Sequence, residues 1–212
     1  MKAWLCLISM IIISLLSGCT GPQAITDTRT SQEIGSIQKM DDNIVIHYSS
    51  DGMARKNLEF VDKDIVIVPN YYTDNDLQRG DIIYFRPPTT HADEGDQTAN
   101  EISRVIALEG ERISISSGQI YINGSRLETF YGKLLASGMD AEAFQDLTNI
   151  HCDEQCRDTH KEYFDTDMEE FEIPSGSVFV LGDNVLRSLG SLNFGTLPKE
   201  QIIGKVTGYL AP

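Results

Sequence analysis

The sequence predicts a mainly β domain of antiparallel strands interrupted by one partly helical insertion. Three observations carry this expectation. Glu101–Gly124 holds β-branched residues at period two between two glycine-bearing turns, which is how neighbouring antiparallel strands read. Further short apolar runs recur on both sides of it, each bounded by Pro, Gly or Asn. Residues 125–172 break this pattern.

Taken in order, Asn43–Tyr48 (NIVIHY) is the first expected strand, and Ser49-Ser50-Asp51-Gly52 breaks it before Met53. Asp64–Val68 is the second, ended by Pro69-Asn70. Arg79-Gly80-Asp81 turns the chain into Ile82–Phe85, and residues 89–100 are a polar loop. Ile102, Val105, Ile106 and Leu108 form an apolar strand closed by Glu109-Gly110. Ile113 and Ile115 alternate with serines up to the Ser117-Gly118 turn, and Ile120 and Ile122 lead to Asn123-Gly124. Within 125–172, Asp140 is placed to cap a short helix bearing Ala143, Phe144 and Leu147. The block Tyr163–Glu172 is acidic. Val178–Leu181 ends in Gly182-Asp183-Asn184, and Ile202–Val206 is the last expected strand.

The chain has 212 residues, which suits one domain carrying an insertion. A formal charge of −15 repels phosphates, so nucleic acid is excluded as a partner. Residues 1–18 read as a targeting segment. Lys2 is followed by a nearly unbroken apolar run to Leu16, shorter than the ~20 residues of a comfortable bilayer span. The run ends Leu16-Ser17-Gly18-Cys19, which resembles the lipobox of bacterial lipoproteins. That resemblance implies acylation of Cys19 and attachment, through lipid, to the extracytoplasmic face of the cell membrane. Residues 19–42 are polar and read as a flexible linker, leaving 43–212 as the domain.

Six short motifs occur in a fixed order: Ser50-Asp51-Gly52-Met53, Arg79–Phe85, Ser103-Arg104-Val105-Ile106-Ala107-Leu108-Glu109-Gly110, Tyr121–Gly124, Gly182-Asp183-Asn184 and Gly195–Pro198. In that order and spacing they resemble bacterial signal peptidase I, over about residues 45–124 and 173–210. The family comprises membrane-anchored serine proteases with a Ser/Lys dyad on an antiparallel β fold. The resemblance implies a site in which the residue before Met53 is the nucleophile and the residue before Arg104 is the general base.

Here those positions hold Gly52 and Ser103. Glycine has no group with which to attack a carbonyl, and a serine hydroxyl cannot take up the nucleophile's proton near neutral pH. Loss of either member of such a unit costs on the order of 10⁶ in rate. The family's bracing Asp and Arg fall on Gly190 and Leu192, while Ser188 and Ser50 still match family serines. Lys56 and Lys63 lie outside the strand that carries the family's base.

The expectation is therefore a non-catalytic homologue that binds an exported polypeptide or signal-peptide-like segment as an added strand. The alternative is an active signal peptidase I with another nucleophile and base. A third reading places activity in the segment containing Cys152, Cys156 and His160. That pair could be a disulfide, free thiols, or a metal or redox site, with a disulfide favoured by export. No cofactor and no resident metal is expected.

Overall fold

The computed structural model describes residues 24–55, 60–88, 99–146 and 152–211. The targeting segment and Cys19 lie outside the described residues, as does Lys56. In chain order the strands begin with β1 (Ile25–Thr26), β2 (Ser36–Ile37), β3 (Ile44–Tyr48), β4 (Lys63–Pro69) and β5 (Ile82–Phe85). Next come β6 (Glu101–Ala107), β7 (Arg112–Ser116), β8 (Gln119–Ile122) and β9 (Ser125–Glu128). Two helices follow, α1 (Ala141–Gln145) and α2 (Glu154–Phe164), then β10 (Met168–Glu172) and β11 (Ser177–Leu181). The chain closes with α3 (Ser191–Phe194), β12 (Leu197–Pro198) and β13 (Ile202–Leu210).

The strands form two sheets. One runs β1-β9-β8-β7-β10; the other runs β12-β11-β6-β5-β13-β4-β3, with β2 joined to β13. Pairing is antiparallel except for β1 on β9 and β2 on β13. The mainly β, antiparallel expectation is borne out. Both hairpin turns around β8 have positive φ at their two central residues, 45° and 71° at Ser117-Gly118 and 51° and 72° at Asn123-Gly124. Such turns match the right-handed twist of flanking strands, and this is why glycine stands second in each.

β6 is the hinge of the architecture. Its residues from Ile102 to Ala107 are all buried. It pairs with β5 on one side and β11 on the other, so both edges are satisfied. Its apolar residues divide among three packed clusters: Ile102 with Met53, Phe60 and Ile65; Val105 with Phe85 and Val180; Ile106 with Ile113, Ile120 and Phe179.

The structure differs from the sequence expectation in two places. The expected flexible linker is docked from residue 24 onward. Ile25 pairs with Leu127, Ser36 with Tyr209, and the Tyr131 hydroxyl donates to Asp27 at 2.5 Å. Gly208 makes part of this docking possible, since a Cβ there would collide with the Gly35 carbonyl oxygen. Lone isoleucines among polar residues show no period, so the docking has no local signature. The expected insertion at 125–172 is also shorter. Its first residues are β9, completing a hairpin on β8, and its last are β10, paired with β7. The acidic composition of Met168–Glu172 masked a strand whose Met168 and Phe171 pack on the core while its glutamates face out. What remains between them is partly helical, with the Asp140 carboxylate accepting from the Ala143 N–H at the start of α1.

Candidate functional site

The site is assembled where the segment after β3 meets the turn after β11. Met53 and Ala54 are buried and fix the segment Ser49–Gly52 against the sheet. The Asn184 N–H donates to the Gly52 carbonyl at 2.9 Å, and its side-chain amide donates to the Asp51 carbonyl at 3.1 Å. The Asn184 side-chain oxygen accepts from the Ser137 N–H at 3.1 Å, so one asparagine ties three segments together.

The neighbouring Asp183 is held from behind. Arg104 of β6 donates to both its carboxylate oxygens, at 2.7 and 2.6 Å, and to the Gly80 carbonyl at 2.8 Å. Arg55 lies 3.5 Å from the same carboxylate, and the Phe130 ring lies under both guanidinium groups at 4.9 and 4.8 Å. A pair this deep persists only because each partner's hydrogen-bonding groups are met.

Gly182 is required by close approach, and Gly52 stands in a tight one. A Cβ at Gly182 would strike the Gly52 carbonyl oxygen and both Cβ and Oγ of Ser188. A Cβ at Gly52 would stand 3.1 Å from Ser188 Cβ, 3.2 Å from its Cα and 3.2 Å from the Tyr48 hydroxyl. A side chain at position 52 would therefore point at Ser188, which matches a family serine. Ser103 is fully buried, and its hydroxyl has no hydrogen-bond partner. The last paired register position sets Leu181 against Arg104. Extending it by one residue puts Ser103 opposite Gly182. The two positions of the expected dyad thus lie on the side of the sheet where Gly182 meets Ser188.

An open cleft of ≈700 Å³ lies here, lined by Ser49, Ser50, Asp51, Glu101, Leu186, Arg187, Ser188 and Leu189. Two of its hydroxyls make local bonds. The Ser50 Oγ accepts from the Gly52 N–H at 3.2 Å, so it shapes the turn, and the Ser188 hydroxyl donates to the Val185 carbonyl at 3.2 Å. Burial pushes the Tyr48 phenol up to about 12, with the Ser50 side chain pulling the other way. Arg187 pairs with Asp51 at 3.0 Å on the rim. Among the described residues no lysine lines the cleft. Lys133, Lys199 and Lys205 pair with Asp140, Glu109 and Asp81, and Lys63 lies over the Tyr209 ring.

Two features escaped the sequence reading. Glu101 lies on the same strand face as Ser103, two residues earlier, and lines the cleft, where burial raises its pKa. The Arg104–Asp183 pair joins residues 79 apart in sequence. An arginine inside an apolar strand was its one local signal, since such a cation needs a buried acid. In the helical region the sulfurs of Cys152 and Cys156 are bonded to each other, and the His160 Nδ1 lies 3.8 Å from the Cys156 sulfur.

Comparison with known proteins agrees with this geometry in family. The family described as signal peptidase, peptidase S26, matches residues 46–210, running through the helical region as well as the six motifs. Signal peptidase I of Rickettsia prowazekii (strain Madrid E) is 32% identical over 141 residues, covering 60% of this chain and 50% of that protein. Signal peptidase I of Bacillus caldolyticus is 30% identical over 131 residues, covering 61% and 59%. The chain thus spans about half the length of the curated relatives it matches. A crystal structure of a signal peptidase I from Enterococcus faecalis V583 is 26% identical, with a TM-score of 0.43, over 63% of this chain and 98% of that one.

Proposed function

The chain belongs to the peptidase S26 family of signal peptidases, and on that premise we propose that it binds exported polypeptides at this cleft without cutting them. One observation carries the reading: the nucleophile position is Gly52, and the base position is a buried Ser103 hydroxyl with no partner. The rest of the frame supports binding. The segment before Gly52 and the start of β6 flank an open cleft, as a groove for an extended strand requires. Export and lipid attachment through Cys19 at the extracytoplasmic face complete the proposal. Among the described residues no helix is long and apolar enough to cross a membrane. Signal-peptide-bearing chains are the substrates of the family, and an uncut one is the proposed ligand.

The test offers signal-peptide-bearing precursor peptides to the detergent-solubilised full chain. Binding without cleavage is the expected result. Cleavage that Ser50→Ala or Ser188→Ala abolishes refutes the reading.

One observation favours a second reading, an active endopeptidase. Glu101 is a carboxylate with a raised pKa in the same cleft as Ser50 and Ser188, the properties of a general base. Under this reading, cleavage is present and Glu101→Gln removes it while leaving peptide binding intact.

A further inference from the structure

Outside the cleft, the densest chemistry sits at the start of α2, and it extends beyond any role in peptide binding. Cys156 and His160 stand one turn apart on the same side of α2, and Cys152, just before the Asp153 cap, is brought to them by the Cys152–Cys156 bond. One ligand atom from each lies within 4.8 Å of the other two. We propose that this trio is a redox-gated site for a thiophilic divalent cation, closed as the Cys152–Cys156 disulfide and opened by reduction.

Three features of the fold favour it. Cys156 is the third residue of an eleven-residue helix, and its N–H donates to the Asp153 carboxylate at 2.9 Å. This cap fixes the start of the helix that carries Cys156 and His160. His160 is already positioned: its ring stacks on Phe144 with centroids 4.2 Å apart, and its Nδ1 is the atom facing the Cys156 sulfur. Cys156 and His160 are only half-buried, so a cation has a way in.

The short separation of the two cysteines also points away from a purely structural staple. The disulfide joins residues four apart, and so small a ring restrains the unfolded chain little. Two thiolates and one imidazole form a ligand set suited to Zn²⁺ that leaves a fourth position for water.

The chemistry balances as follows. A dithiol reductant gives two electrons and two protons, the S–S bond breaks, two thiols form, and the reductant becomes a cyclic disulfide. The cation then displaces one proton from each thiol to bulk water. With the disulfide closed, the His160 Nδ1–H donates to the Cys156 carbonyl at 2.8 Å. Coordination through Nδ1 requires the Nε2–H tautomer, which gives up a bond to that carbonyl.

The experiment uses the full chain in detergent, reduced with a phosphine, and titrated with Co²⁺ while thiolate-to-metal absorption is recorded. Zn²⁺ competition follows. Expected is one Co²⁺ per chain in the reduced protein, none in the oxidised protein, and displacement by Zn²⁺. Cys152→Ser and His160→Ala each weaken binding by more than the ~10–100-fold that changes outside the ligand set cost. Circular dichroism confirms that each variant keeps its fold. The proposal is overturned if the reduced chain binds Co²⁺ no better than a Cys152→Ser/Cys156→Ser double variant, or if His160→Ala binds as tightly as wild type.

Discussion

Replacing Asp183 by alanine isolates the contribution of the structure behind the cleft. The Arg104 and Asp183 side chains are 2% and 3% exposed, so water cannot take the place of the lost carboxylate. Alanine removes two charge-assisted bonds to Arg104 and the nearby Arg55 contact, while the Gly80 carbonyl and the Phe130 and Tyr131 rings stay beside Arg104 without replacing the lost countercharge. Breaking such a pair from one side costs about 3–5 kcal/mol. For a chain of this length each kcal/mol moves the melting midpoint by about 2–4 °C, so the midpoint falls by roughly 6–20 °C. Thermal unfolding followed by circular dichroism reads this directly. A second variant separates an orphaned charge from lost shape. Arg104→Met combined with Asp183→Leu regains most of the loss, because the Arg104 charge goes together with its carboxylate. A midpoint for Asp183→Ala within about 2 °C of wild type, or a double variant worse than either single change, would refute the account.

The combined change Gly52→Ser and Ser103→Lys restores the family's residue types but not its activity. The new Cβ at position 52 stands 3.1–3.2 Å from Ser188 and Tyr48, an overpacking cost of about 1–3 kcal/mol. The new lysine is fully buried, so the variant melts lower and cleaves no precursor peptide above background; measurable cleavage would show the site to be intact apart from these two residues. At Asp27, burial alone raises the carboxyl's pKa, but hydrogen bonds from Thr30, Tyr131 and the Arg29 N–H outweigh it and hold it at about 2 against an ordinary 3.8. Its stabilisation is therefore present above about pH 4 and is lost as pH falls towards 2, at about 1 kcal/mol after allowance for its partial exposure. Asp27→Asn removes that dependence, and denaturant titrations at pH 5 and pH 2.5 measure it. Glu101 has the opposite sign: burial raises its pKa, so its charged form opposes folding increasingly as pH rises above its unfolded value near 4.5. Glu101→Gln stabilises the chain at pH 7 and leaves it unchanged at pH 3, which paired melting curves check.

Strand alternation made most of the fold legible. The Ser117-Gly118 and Asn123-Gly124 turns, β5, β6 and β11 stand where period two and the glycines put them, because side-chain direction along a strand is a local property. The docking of residues 24–37 was illegible for the opposite reason. Ile25 and Ile37 pair with Leu127 and Leu210, which are remote in sequence. β10 was hidden by its own glutamates, since composition outweighed alternation in the reading of 168–172. At the site, the absence of a nucleophilic side chain at Gly52 and of an amine at Ser103 was visible by residue type alone. Glu101 was not singled out, because half-burial of a carboxylate depends on the walls that fold around it.

The sequence by itself determined which strands form, which turns join them, and which atoms positions 52 and 103 can offer, since each of these is fixed by residue identity and nearest neighbours. Only the tertiary structure decided that Ser188 faces Gly52, that Asp183 neutralises Arg104, and that His160 stands beside a cysteine pair. Those relations are set by distances between segments far apart along the chain, and such distances become defined only when the sheets pack.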